Sequence, residues 1–166
     1  MKIGLIGAGR LGLCLALLIE DTGHDVLASD IRPDYIKDLN EKKYNGSEPD
    51  VKYYLEKANN IEFTTDNIRV INECDIIFTL VATPSLDDGS YDVSAVWKVV
   101  EDFKIAAKEK EVFNKSLVVG CTTNPGDCDE IQDHLSVDPD TFGVNVFYNP
   151  EFIAQGTIIK DLQNAD

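Results

Sequence analysis

The feature that most constrains the fold is a junction near the start of the chain. Lys2–Ile6 is a short apolar run, and it closes on Gly7-Ala8-Gly9-Arg10-Leu11-Gly12. That glycine cluster opens directly into Arg10–Asp21, where Leu11, Leu15, Leu18 and Ile19 recur at helical spacing. A chain that leaves an extended run and enters a helix within a few residues needs a sharp turn, and glycine supplies the backbone freedom for it. A buried strand feeding a helix through such a turn is the first half of a βαβ unit.

The alternation continues to the far end of the 166 residues. Strands are expected at Asp25–Ser29, Ile61–Thr64, 75–81, 116–121 and 144–148. Helices are expected at 33–43, with Pro33 in its first turn, and at 50–58, capped by Asp50. Further helices are expected at 66–73, with Ile68 and Ile71 facing inward, and at 126–135. The longest runs from an Asp92 cap to about Lys110. Its Val93, Val96, Trp97, Val100, Phe103 and Ala107 share one face. Residues 45–48 read as a loop. Strands separated by helices imply parallel pairing, and continuous apolar strands imply cover on both faces. The expected fold is a doubly wound α/β domain with a mostly parallel sheet. With no repeat, linker or low-complexity tract, it is one domain over 1–166.

If the glycine cluster seats a ligand, its mechanism is specific. Gly7 makes the turn, Gly9 lets a pyrophosphate approach the backbone, and Gly12 lets helix and strand pack closely. The helix N-terminus then offers free N–H groups and a partial positive charge. This matters because the chain is acidic: 15 Lys and Arg against 30 Asp and Glu give a net charge of −15. Such a field opposes nucleic acid and anionic membrane partners, so an anionic ligand must be held by local backbone geometry. No run approaches the ~20 apolar residues of a membrane span. The four cysteines, Cys14, Cys74, Cys121 and Cys128, form no CxxC pair. With His24 and His134 they give no metal-ligand spacing, so they read as free thiols of a cytoplasmic protein.

Asp30 ends the second expected strand, 18 residues after Gly12. A carboxylate there would hydrogen-bond the ribose hydroxyls of a dinucleotide and repel a 2′-phosphate, which favours NAD over NADP. Arg32 stands against that preference, because an arginine just past the strand accommodates such a phosphate. Three later turns fall at strand ends on the same edge: Val81-Ala82-Thr83-Pro84-Ser85, Gly120-Cys121-Thr122-Thr123-Asn124-Pro125-Gly126 and Tyr148-Asn149-Pro150-Glu151-Phe152. In an open parallel sheet the ligand crevice lies at strand C-termini beside the switch point. Thr83 and Pro84 would line the cofactor, and Glu151 would be a base or would position a water.

With these blocks in view, the sequence resembles the N-terminal, Rossmann-type domain of the UDP-glucose/GDP-mannose dehydrogenase family. KIGLIGAGRLGL, VATPSLDDGSYDVSAV, CTTNPGDCDEI and NPEFIAQGTIIKDLQNAD match along nearly the whole chain, the last most specifically. The resemblance implies oxidation of the C6 alcohol of a nucleotide sugar, UDP-glucose above all, by two hydride transfers to NAD through a cysteine thioester. It implies that Gly7, Gly9, Arg10, Leu11, Gly12, Asp30 and Arg32 serve the adenosine and diphosphate part of NAD. Thr83, Pro84, Thr122 and Gln155 would serve the nicotinamide side. Thr122 would also help place a water, and Glu151 would assist thioester hydrolysis. Gln155 stands where the family often has an acid, and Asn124-Pro125 replaces a proline-rich turn.

Family members run to roughly 400 residues or more, beyond one domain. The catalytic cysteine would therefore lie past Asp166, and the 166 residues would bind NAD without turnover. The full-length protein would be a homo-oligomer acting on a nucleotide sugar, without nucleic acid or membrane partners. The alternatives are a GDP-mannose or other sugar-nucleotide dehydrogenase, and a stand-alone NAD(H)-sensing regulatory domain.

Overall fold

The computed structural model describes residues 1–44, 46–109, 114–141, 143–152 and 154–164. Six strands, β1 (Lys2–Ile6), β2 (Asp25–Ser29), β3 (Ile61–Thr64), β4 (Ile76–Thr79), β5 (Ser116–Val119) and β6 (Asn145–Tyr148), form one sheet. The order is β3-β2-β1-β4-β5-β6, and every pairing is parallel. The chain winds outward from β1 to β3 and then returns to lay β4 on the other side of β1. The switch point therefore lies between β1 and β4, where such sheets open a crevice.

Seven helices cover the faces: α1 (Arg10–Asp21), α2 (Pro33–Asn40), α3 (Val51–Lys57), α4 (Asn67–Glu73), α5 (Ser94–Glu109), α6 (Asp127–Ser136) and α7 (Ile158–Gln163). Alternate strand residues serve opposite cores. Leu5, Val26, Ala28 and Phe63 pack with α1, α2, α3 and α7. Ile6, Leu27, Ile77, Leu117 and Val119 pack with α4, α5 and α6. The expected face of α5 is realised, with Val96, Val100, Phe103 and Ala107 buried and Val93 and Trp97 packed at its margin. Of the inward pair expected on α4, Ile71 is fully buried and Ile68 packs partly buried against the same core.

Several boundaries differ from the sequence expectation, each for a local reason. α2 stops at Asn40 because Lys42 turns left-handed at φ 55°. The Lys42 ammonium then donates to the carbonyls of Glu56 and Ala58, at the end of α3. Asp50 occupies the N-cap position of α3, but at φ 65° its side chain makes no capping bond. Asp66 does cap α4, accepting from the Arg69 amide at 3.0 Å. Asp92 accepts from the Ser94 amide at the start of α5, and Lys110 lies outside the described residues. β4 and β5 are shorter than expected because their last residues peel away into turns at the crevice.

The helix α7 was not expected. Six residues are too few to show a period, and its N-terminal amide is met by a carboxylate 110 positions earlier. Cys14 and Cys74 are buried, and Cys121 and Cys128 half-buried, all as free thiols. No helix among the described residues is long and apolar enough to cross a membrane.

Candidate functional site

A cavity of about 780 Å³ opens at the C-terminal ends of β1, β2 and β4. Its floor is the glycine turn. Gly7 sits at φ 98°, and a Cβ there would stand 2.7 Å from the Leu80 carbonyl. A Cβ at Gly12 would stand 2.1 Å from the Gly7 oxygen, so helix and turn touch backbone to backbone. At Gly9, by contrast, a Cβ would meet nothing within 4 Å. Gly7 and Gly12 are therefore glycines because the protein is close, whereas Gly9 faces open space. The Ser29 carbonyl accepts from both the Gly7 and Ala8 amides. No side chain caps α1 and its first turn carries no acid, which leaves its amides for an anion.

Asp30 and Arg32 lie at the rim beside this turn. Their side chains form a two-pronged pair: Arg32 Nε donates to Oδ1 at 2.8 Å and Nη2 to Oδ2 at 2.9 Å. The Asp30 carboxylate is nearly covered, with 9% of its side chain exposed against 55% for Arg32. The guanidinium also lies over the Tyr35 ring, 4.0 Å from its centroid, and the Tyr35 hydroxyl donates to the Ala8 carbonyl at 2.8 Å. Burial pushes the Tyr35 hydroxyl pKa up, so it stays a donor. Arg32 is thus committed to Asp30, which satisfies the carboxylate and holds it toward the cavity.

The opposite wall combines Leu80, Val81 and Ala82 after β4 with Ala95, Lys98 and Val99 from α5. Ile31, 84% exposed, stands at the lip. Asn67, the first residue of α4, accepts from Ser29 Oγ and donates to Asp102. The sequence reading missed Ile31, Asn67 and the α5 residues. Asn67 carried a usable signal, since it follows a strand end on the same edge. The α5 residues carried none, because their apolar members look like ordinary core.

Of the residues expected at the site, Gly7, Gly9, Arg10, Leu11, Gly12, Asp30, Arg32 and Gln155 line this cavity. Thr83, Pro84, Thr122 and Glu151 do not. β4 gives way to coil after Thr79, so the wall is formed by Leu80–Ala82, and Thr83 and Pro84 fall just beyond it. Thr122 is exposed in the turn after β5. That turn is tied to the 84–92 loop by Asn124, whose side-chain amide accepts from the Tyr91 amide at 2.8 Å and donates to its carbonyl at 3.0 Å. The Asn124 backbone amide is held by Asp127 at 2.7 Å. Asn124 therefore imitates a strand neighbour and joins two turns. Glu151 is half-buried after β6, with its pKa raised by desolvation. Gln155 reaches back across the rim and accepts from Arg10 Nη1. Among the described residues no group of three or more His, Cys, Asp or Glu is arranged to hold a metal.

The arrangement suits a long ligand with a diphosphate near its middle and a diol at one end. The cavity volume falls within the range of small-molecule sites, and the apolar wall of Val81, Ala95 and Val99 suits a flat ring.

The whole chain, residues 1–166, matches the model of the UDP-glucose/GDP-mannose dehydrogenase family, NAD binding domain. A UDP-glucose 6-dehydrogenase of Haloferax volcanii is 30% identical over 172 residues, covering 100% of this chain and 40% of the relative. A UDP-glucose dehydrogenase structure from Pyrobaculum islandicum superposes with a TM-score of 0.88 at 25% identity, covering 99% of this chain and 39% of that one. A GDP-mannose dehydrogenase ternary complex from Pseudomonas aeruginosa gives 0.86 at 27%, covering 98% and 38%. The chain thus spans between 18% and 40% of the length of the curated relatives it matches.

Proposed function

The chain belongs to the UDP-glucose/GDP-mannose dehydrogenase family as an NAD-binding domain, and from that premise we propose that its cavity is the NAD site of a UDP-glucose 6-dehydrogenase. One observation carries the reading: an uncapped helix N-terminus and a nearly covered carboxylate, Asp30, open into the same cavity at the switch point. When bound, NAD supplies the hydride acceptor. The amides of the first α1 turn hold its diphosphate, and the open space over Gly9 admits it. Asp30 accepts from the adenosine ribose hydroxyls while Arg32 keeps the carboxylate aligned. Ile31 and the α5 wall flank the adenine.

Gln155 at the cavity rim and Thr83, Pro84 and Thr122 beyond it bound the path toward the nicotinamide. Thr122 orients a water. Glu151 takes a proton from it, and its raised pKa suits a base. The substrate assignment draws on relatives named for UDP-glucose. The GDP-mannose relative of similar fold makes the sugar nucleotide the finer part of the proposal. Burial pushes the Cys14 thiol up to about 12, and Cys74 and Cys121 to about 11. Burial raises the Cys128 thiol as well, so none of the four cysteines is a ready thiolate nucleophile at neutral pH. The 166 residues are therefore expected to bind NAD without oxidising UDP-glucose.

Calorimetric titration with NAD and separately with NADP tests the reading. Saturable NAD binding with much weaker NADP binding is expected. Equal affinities would remove Asp30 from the ribose site, and no binding of either would overturn the cavity assignment. NADH formation from UDP-glucose by these residues alone would overturn the absence of turnover.

A further inference from the structure

Glu48 lies in the segment between α2 and α3, outside the cavity lining, and it is 8% exposed. Its carboxylate is buried against backbone amides. Gly156 N donates to Oε1 at 3.1 Å and to Oε2 at 3.0 Å, and Ile158 N donates to Oε1 at 2.9 Å. These bonds join residues 108 and 110 positions apart. Burying a carboxylate is costly unless its oxygens are hydrogen-bonded, and here amides meet both oxygens. The bonds therefore fix the one stretch of backbone that leads into α7. Gln155 immediately precedes that stretch, and Gly156 is held there at φ 95°.

Gln155 in turn accepts from Arg10 Nη1, and both residues line the cavity. Arg10 is the first residue of α1, next to the amides that meet the diphosphate in the proposed function. Because Gln155 is neutral, it orients the guanidinium without cancelling its charge. The order of control runs from the Glu48 carboxylate to the Gly156 and Ile158 amides, then to Gln155, and then to Arg10. We propose that Glu48 is a positioning residue for the cofactor site, setting Gln155 against Arg10 at the cavity rim through the backbone of Gly156 and Ile158. The inference rests on the reading of this cavity as the NAD site.

The test is a mutant cycle read in two ways, by NAD titration and by melting temperature. The proteins are the wild type, Glu48→Ala, Glu48→Gln, Gln155→Ala and the two double variants. Glu48→Ala is expected to weaken NAD roughly tenfold, and Gln155→Ala by a similar factor. The double variant should bind no worse than the weaker single one, because both act through Arg10. The melting temperature should fall equally for Glu48→Ala whether residue 155 is Gln or Ala. Glu48→Gln keeps one acceptor and should lose less affinity, so it carries the same cycle if the alanine variant does not fold. Multiplying losses would overturn the inference, as would Glu48 variants that melt earlier yet bind NAD like the wild type. Either result leaves the proposed function standing when the wild type binds NAD. A wild type that does not bind NAD overturns both.

Discussion

The two sides of the sheet build their shares of the edge by different means. Beside β1 and β2, the glycine turn is shaped by backbone contacts: Gly12 against Gly7, Gly7 against Leu80, and two amides on one Ser29 carbonyl. Beside β5 and β6, the turns carry exposed side chains, and β6 itself is an edge strand with Phe147 and Tyr148 about half exposed. There the positions depend on side-chain bonds such as Asn124 to Tyr91. A turn packed on backbone has little room to vary. A turn held by side chains keeps its place only while those bonds last.

The sharpest way to break the contrast is at the glycines. Gly12→Ala drives a methyl into the Gly7 carbonyl, so it is expected to destabilise the fold by about 1–3 kcal/mol or more and to abolish NAD binding. Gly9→Ala meets nothing within 4 Å, so its melting temperature should stay near the wild type while NAD binding falls. Thermal melts beside titrations separate the two, and a Gly9→Ala protein that binds NAD normally would remove the diphosphate from that spot. Next in size is Asp30→Ala. It should weaken NAD by about 1–3 kcal/mol, as for hydrogen bonds to a charged group, and narrow the gap to NADP by freeing Arg32.

On the other side, Asn124→Ala leaves the Tyr91 amide and carbonyl without their side-chain partner. A loss of about 1–2 kcal/mol in stability is expected in denaturant melts, and NAD should weaken less than for Asp30→Ala because the glycine turn keeps its own backbone contacts. The smallest effect is at Glu151. Desolvation raises its folded pKa above the ordinary value of 4.5, so ionisation costs stability as pH rises through the window above that value. Glu151→Gln should therefore melt slightly higher than the wild type at pH 7, and the difference should vanish well below pH 4.5, where Glu151 is neutral both folded and unfolded. An unchanged difference across that range would place Glu151 in water.

The same division decides what the sequence disclosed. The strands, α1 and the glycine turn were legible because their signals are local: apolar runs, helical spacing and glycines at fixed offsets. Asp30 was legible because its place is counted along the chain. Arg32 stood against the NAD preference as an arginine able to accommodate a 2′-phosphate, yet it is paired with Asp30, a geometry two residues of sequence do not reveal. Asn124 stood only as part of the replacement for a proline-rich turn, and the Tyr91 backbone that gives it a purpose lies 33 positions away. Glu48 and α7 were invisible for the same reason. Each is completed by a partner more than 100 residues off. The wall from α5 was hidden because Val99 serves the core and the cavity at once.

The Ser29 carbonyl receives two amides, from Gly7 and Ala8. Those two donors are thereby spoken for by the neighbouring strand, and the curvature of the turn is inherited from the pairing of β1 with β2. The anion seat we propose is consequently moulded before any ligand arrives. An incoming diphosphate would meet a finished template, and the ordering that recognition usually demands would already have been done by folding.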